Sequence, residues 1–357
     1  MRLGGKRLRV AFAALPALFV IGCTALLPAP TPAPDRIAVS DGWLAMGTFF
    51  EVEIRIAAED ADRARDWIEW ARAEIVRLES VYSRHDERSA VSDLNRSLSR
   101  DNILTQQLTV DPELESILFL GLEIWTGSGG AFDITVGPLV DVWTEAVEKE
   151  SWPSVEALRR AKGRVGSGAL LLFGDGKLEV LKPGMRLDLD GLSKGRVLDQ
   201  LRARFEGDLP DAAGLLNFGE SSVLAIGDPD GEGWRLAIRS RNPLDGSLEA
   251  GTRNVLRLRD QALSVSSSLG VVSEIGKERI SHIIDPRTGS AVADGVEAFV
   301  IADRAGLADG WSTALLVLGA DRTALRLVEK AGLEAEVRES SGLGISTEDW
   351  ESHFVEP

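Results

Sequence analysis

Three short stretches hold side chains whose type and spacing could do chemistry. In "SHIIDPRTG" (281–289), His282 is one of only three histidines and is followed by two β-branched apolar residues and an Asp-Pro turn. An imidazole titrates near neutrality, with a reference pKa of about 6.5, so His282 could act as a general base. It could equally be a structural residue ending a strand. In "ADGWSTALLVLG" (308–319), Asp309 and Thr313 are four apart. On a helix that spacing puts a carboxylate and a hydroxyl on one face, two hard oxygens that would suit Mg²⁺. The alternative is an Asp favoured by the helix dipole beside a packed Thr. In "LDLDGLSKGRVLD" (187–199), Lys194 stands at a Gly-bounded turn into a helix. Such a turn can offer backbone N–H groups to a phosphate, or can simply start a helix. No Walker spacing and no G-x-G-x-x-G is present.

The elements that must carry these residues follow from periodicity. "MGTFFEVEIRIA" (46–57) alternates as a strand. Apolar positions 64, 68, 71, 75, 78 and 82 make one stripe of a helix over 59–82. Asp111 and Pro112 open a second helix, with Leu114, Ile117, Leu118, Leu122 and Trp125 facing inward, and Gly127-Ser128-Gly129-Gly130 stops it. Residues 170–190 turn β around "GDG" (174–176), and a short helix follows Lys194. "LLNFGESSVLAIG" and "WRLAIRS" read as strands, and "NVLRLRDQALSVSS" (254–267) as a hairpin pair. "VEAFVIAD" leads into a helix ended by Gly319, and Asp321 caps another. Strands and helices mix without βαβ alternation, so the fold class is α+β, a mixed, largely antiparallel sheet with packed helices.

The N-terminus reads differently. Residues 1–22 have a basic start, a short apolar run and "VIGC" ending at Cys23, the sole cysteine. This is the form of a secretory signal whose cysteine receives lipid, the alternative being an ordinary signal or anchor with an incidental cysteine. A lone cysteine excludes internal disulfides and C-x-x-C metal or redox sites. Residues 23–36 are Pro/Ala-rich and read as a tether outside the fold, and 37–357 is long enough for one large domain or two small ones. Loss of Arg2, Lys6, Arg7 and Arg9 with the leader moves the net charge from −16 to −20. So acidic a chain is ill suited to nucleic acid.

Taken in order, "MGTFFEV", "YSRHDERSAVSDLN", "GGAFDITVGPLVDVW", "LDLDGLSKGRVLD", "NFGESS", "SHIIDPRTG" and "ADGWSTALLVLG" resemble the ApbE family, the FAD:protein FMN transferases. The resemblance runs from about Met46 to Gly319. It implies one FAD-binding FMN transferase domain over 37–357, a T-fold-like α+β architecture, and Mg²⁺-dependent transfer of FMN from FAD to a threonine hydroxyl of a target flavoprotein, with release of AMP. It also implies a periplasmic, lipid-anchored location in a bacterial envelope and a redox-complex subunit as acceptor. Two alternatives accompany it: a Mg²⁺-dependent FAD pyrophosphatase and a non-catalytic flavin-binding lipoprotein.

By motif, the resemblance makes Asp309 and Thr313 metal ligands through their side chains and Ser193 one through its carbonyl. It places Met46, Ser83, His85, Ala131, Phe132, Asp133, Asp190, Lys194, Arg196, Ile283 and Asp285 against FAD. His282 would activate the acceptor hydroxyl and Cys23 would carry the lipid. The chain departs from the family at His85, where an aromatic is usual, at Gly219-Glu220, where a Gly-Gly pair is usual, and in "SVSSSLG" (264–270).

Overall fold

The computed structural model describes residues 24–26, 36–100, 103–219, 221–238, 254–268, 272–276, 278–293, 295–339 and 343–355. Its centre is an eight-stranded sheet: β1 (Arg36–Ala45), β2 (Thr48–Ala57), β3 (Ala213–Phe218), β4 (Ser222–Ile226), β5 (Ala262–Ser267), β6 (Val296–Ala302), β7 (Glu334–Glu339) and β8 (Gly344–Ser346). Spatial order equals chain order, and every neighbouring pair is antiparallel. β3, β4 and β6 are buried at every position, because both faces of the sheet are covered. Leu216, Phe218, Leu224 and Val300 point into a core beneath the helices. Leu215, Val223, Phe299 and Ile301 point into a second core against another sheet.

That second sheet has four strands: Thr24–Leu26, Trp234–Ile238, Asn254–Leu258 and Phe354–Val355. It corrects the hairpin expected over 254–267. Asn254–Leu258 pairs with Trp234–Ile238, whereas β5 pairs with β4 and β6. Leu256 and Leu258 face Leu263 and Val265 across the inter-sheet core, so the chain crosses between layers at Arg259–Gln261, where Asp260 takes φ +54°. Thr24–Leu26 lies within the stretch read as a tether, yet it pairs antiparallel with Trp234–Ile238. It satisfies backbone groups that strand would otherwise leave open. Arg36 already belongs to β1.

The helices are α1 (Ala61–Tyr82), α2 (Ala90–Leu98), α3 (Pro112–Gly127), α4 (Gly137–Glu148), α5 (Val155–Lys162), α6 (Ser193–Asp208), α7 (Ala305–Leu318) and α8 (Arg322–Lys330). The stripe read on α1 is buried at all six positions. Asp111 caps α3 by accepting from Glu113 N–H at 2.8 Å, and Asp321 caps α8 through Thr323 N–H at 2.6 Å. On α3 the buried face is Leu114, Ile117, Leu118, Leu120, Gly121 and Ile124, with Leu122 and Trp125 only half-buried. α6 is a full 16-residue helix, longer than expected. It crosses α7 so closely that a Cβ on Gly195 would come within 2.3 Å of the Ala305 carbonyl oxygen. α4 and α5 build a third core with the hairpin Val272–Ile275/Glu278–Ser281, through Trp143, Ile275, Ile280 and Ile284. Among the described residues no helix is long and apolar enough to cross a membrane.

Candidate active site

The α6–α7 crossing fixes Asp309. Its Oδ2 accepts from Gly195 N–H at 2.8 Å, and Oδ1 accepts from the hydroxyls of Ser222 and Ser264, each at 3.3 Å. The residue is 5 % exposed. Burial pushes its carboxyl pKa up, against the pull of the nearby Lys194 charge and these hydrogen bonds. Thr313, one turn on, lies at the end of a row of hydroxyls: Ser312 and Ser266 are 2.8 Å apart, and Ser266 is 3.3 Å from Thr313. The pair read from spacing therefore shares a face. The serines around it were not singled out as ligands, although "NFGESS" and "SVSSSLG" already showed the hydroxyl enrichment.

Asp309 forms no ion pair among the described residues; its partners are neutral donors. A buried carboxylate whose direct partners are all neutral, with the Lys194 charge nearby but outside ion-pair contact, is a place where a divalent cation would be stabilised. No three His, Cys, Asp or Glu side chains converge on one point among the described residues. An ion here would rest on Asp309, Thr313, the Ser193 carbonyl and oxygens of substrate or water, a donor set that suits Mg²⁺. Ser193 is the first residue of α6 and is buried.

Beside this crossing opens a cavity of about 320 Å³. It lies between α4, the 131–136 loop, the 188–191 segment, the 280–286 turn and α7. It gathers Ala131, Phe132, Asp133, Asp190, His282, Ile283 and Thr313 from the expected site residues. Gly191 forms the floor, where an added Cβ would stand 3.2 Å from Thr313 Oγ1. His282 is exposed at the rim, directly after Glu278–Ser281. The following turn is firmly built. Asp285 Oδ1 accepts from Arg287 N–H at 2.8 Å, the Asp285 carbonyl accepts from Gly289 N–H at 2.7 Å, and Trp143 Nε1–H donates to the Gly289 carbonyl at 2.9 Å. Asp285 thus holds the turn that presents His282.

Other expected residues are placed differently. Both oxygens of Asp133 are occupied by Thr135 and Ser167, so its carboxylate organises the loop. Arg196 donates to Ser116 Oγ at 2.9 Å, in the α3–α6 contact and away from the cavity lining. Lys194 acts on Asp309 electrostatically. Met46 forms the β1–β2 turn with Gly47, both at positive φ (48° and 73°), so the strand begins at Thr48. Ser83 accepts from His85 N–H at 3.3 Å, and His85 Nε2 lies 3.1 Å from Asp190 Oδ2. Two residues that were not foreseen complete this rim. Arg84 Nε stands 3.1 Å from Asp188 Oδ2 and 3.3 Å from Asp190 Oδ2. Burial and the Asp190 charge raise Asp188 to about 6, against the opposing pull of Arg84. Cys23, Glu220 and 269–270 lie outside the described residues.

Comparison with known proteins bears on the family and the fold. The ApbE family model matches residues 46–337. The FAD:protein FMN transferase of Escherichia coli K12 is 30% identical over 329 residues, covering 89% of this chain and 88% of that protein. That of Klebsiella pneumoniae 342 is 29% identical over 332 residues, with 91% of each covered. The crystal structure of an ApbE protein from Thermotoga maritima superposes with a TM-score of 0.77 at 25% identity, covering 90% of this chain and all of that one. The apo flavinyl transferase ApbE of Pseudomonas stutzeri shares the fold, with a TM-score of 0.75 at 23% identity, covering 90% of this chain and 98% of that one.

Proposed function

The chain belongs to the ApbE family, and from that premise we propose that it transfers FMN from FAD to a threonine hydroxyl of an acceptor flavoprotein, with Mg²⁺ held at Asp309, Thr313 and the Ser193 carbonyl. The observation that carries this reading is that His282 and Thr313 line one cavity, while the buried Asp309 carboxylate, hydrogen-bonded only to neutral donors, sits one helical turn from Thr313. Bound there, a divalent ion would supply positive charge beside the pyrophosphate. The protein's residues do the rest. The apolar wall of Val140, Trp143, Ile280 and Ile284 suits a flat, largely apolar ring. The acceptor hydroxyl oxygen forms a bond to the FMN phosphorus, its proton passes to His282, and the bond between the two phosphates breaks to release AMP. A base so placed contributes typically about 10²–10⁴-fold.

The acceptor is proposed to be a subunit of a redox complex. The protein is proposed to work on the periplasmic side of a bacterial membrane, held by lipid on Cys23 after removal of 1–22. The leader-like composition of those residues supports this.

The test is to incubate the domain with FAD, Mg²⁺ and a candidate acceptor and record the acceptor's intact mass. Gain of one FMN phosphoester, abolished by EDTA and by His282→Ala, is the expected result. Free FMN and AMP without an adduct would replace transfer by FAD hydrolysis. No AMP with or without acceptor would leave only a flavin binder.

A further inference from the structure

Among the described residues lining the cavity, Arg84 is the sole Lys or Arg, against the carboxylates of Asp133, Glu148, Asp188 and Asp190. Asp133 is satisfied by its own loop, and Glu148 is exposed to solvent. Asp188 is the more enclosed of the remaining pair, and Asp190 stands half-exposed beside it, with His85 Nε2 3.1 Å from its Oδ2. They sit two residues apart on one segment, and the backbone N–H of Asp190 donates to Asp188 Oδ1 at 3.1 Å, which fixes the Asp188 carboxyl against that segment. The Arg84 side chain is 16% exposed and is wedged against both, with Asp188 10% exposed. It reaches them from the end of α1, across more than a hundred residues of chain. A substrate carrying a pyrophosphate brings two further negative charges into this space. Like charges at such range in a partly buried site repel by amounts that decide affinity.

We infer that Arg84 is a positioning residue that sets the charge of the cavity, offsetting one of the two charges of Asp188 and Asp190 so that an anionic flavin dinucleotide is admitted. The inference rests on the proposed flavin substrate. Arg84 acts through the two carboxylates and need not touch the ligand. Its loss should therefore discriminate by ligand charge. FAD, with its pyrophosphate, should suffer; riboflavin, uncharged and carrying the same ring, should not. Loss of Arg84 takes the net charge of these three side chains from about −1 to about −2, less the fraction of a proton that Asp188 takes up. The expected penalty is then about tenfold, not several hundredfold.

The experiment is a flavin fluorescence-anisotropy titration of the protein in Mg²⁺ without acceptor, for FAD and for riboflavin. Arg84→Met should weaken FAD about tenfold and leave riboflavin within about twofold. Arg84→Lys, which keeps the charge, should lie nearer the wild type. Adding Asp190→Asn to Arg84→Met should return FAD affinity toward the wild-type value, since one carboxylate is then removed along with its partner. Equal loss of both ligands would mean that Arg84 merely supports the fold, and would overturn the inference, as would unchanged FAD affinity in Arg84→Met. A wild-type chain that binds no FAD would sink the proposed function, and this inference with it.

Discussion

A buried carboxylate hydrogen-bonded only to neutral donors, with one lysine charge nearby, as at Asp309, is still left net destabilised by burial and would gain from a bound cation. Asp309→Asn keeps the shape and most of the hydrogen bonds but removes the charge. It should abolish Mg²⁺-dependent AMP release while leaving a cooperative thermal transition. Asp309→Ala would in addition strand the Gly195 N–H, at about 1–3 kcal/mol. An Asp309→Asn protein with an unchanged Mg²⁺ titration curve would remove the metal assignment. Asp188 offers a pH test. Its pKa is raised from 3.8 to about 6, so the folded state binds the proton more tightly than the unfolded one. Its charged form therefore penalises folding fully above about pH 6, and the penalty is lifted as pH falls from about 6 toward 3.8. Urea unfolding at pH 7, 6 and 5 should show wild type gaining stability relative to Asp188→Asn on acidification; parallel curves would refute it. The Asp309–Thr313 pair was legible because four residues on a helix is a fixed geometry. Arg84 with Asp188 was not, because nothing local in either segment names a partner that far away in sequence.

Element by element, the same division between local and distant holds. The caps at Asp111 and Asp321 and the stripe of α1 were readable because a helix closes its hydrogen bonds within four residues. Strand partners are chosen at long range, so the crossover at Arg259–Gln261 looked like a hairpin. β1 was missed because, as a sheet edge, it buries only Trp43 and Ala45, leaving little alternation to read. The β1–β2 turn shows where a local rule is broken. A two-residue turn with both φ positive favours Asn-Gly, yet its first position is Met46. Strain of this kind is retained where a side chain serves a purpose. Met46→Asn should raise stability by up to about 1 kcal/mol, read as a higher Tm. If Met46 contacts the flavin, FAD affinity should fall in the same variant. A variant that gains stability and binds FAD equally well would reduce Met46 to a turn residue.

At the scale of the whole molecule, the acidic composition argued against nucleic acid, the single cysteine left no internal disulfide, and the order of motifs pointed to the family. How the motifs meet could not be read, since it depends on one long excursion. β2 and β3 are adjacent in space, yet residues 58–212, with α1 to α6, intervene between them. Closing that loop costs about 4–5 kcal/mol of chain entropy. The β1–β2 hairpin therefore emerges during synthesis long before the strand that will flank it. At ordinary elongation rates the delay is on the order of ten seconds or more. Throughout it, β2 offers an open row of backbone donors and acceptors beside Phe50, Val52 and Ile54. A nascent chain halted before residue 213 should be sticky and protease-sensitive, whereas one halted after 226 should have that edge covered. The length of the excursion is thus also a period of vulnerability in the protein's biosynthesis, one that a holding chaperone would have to shield.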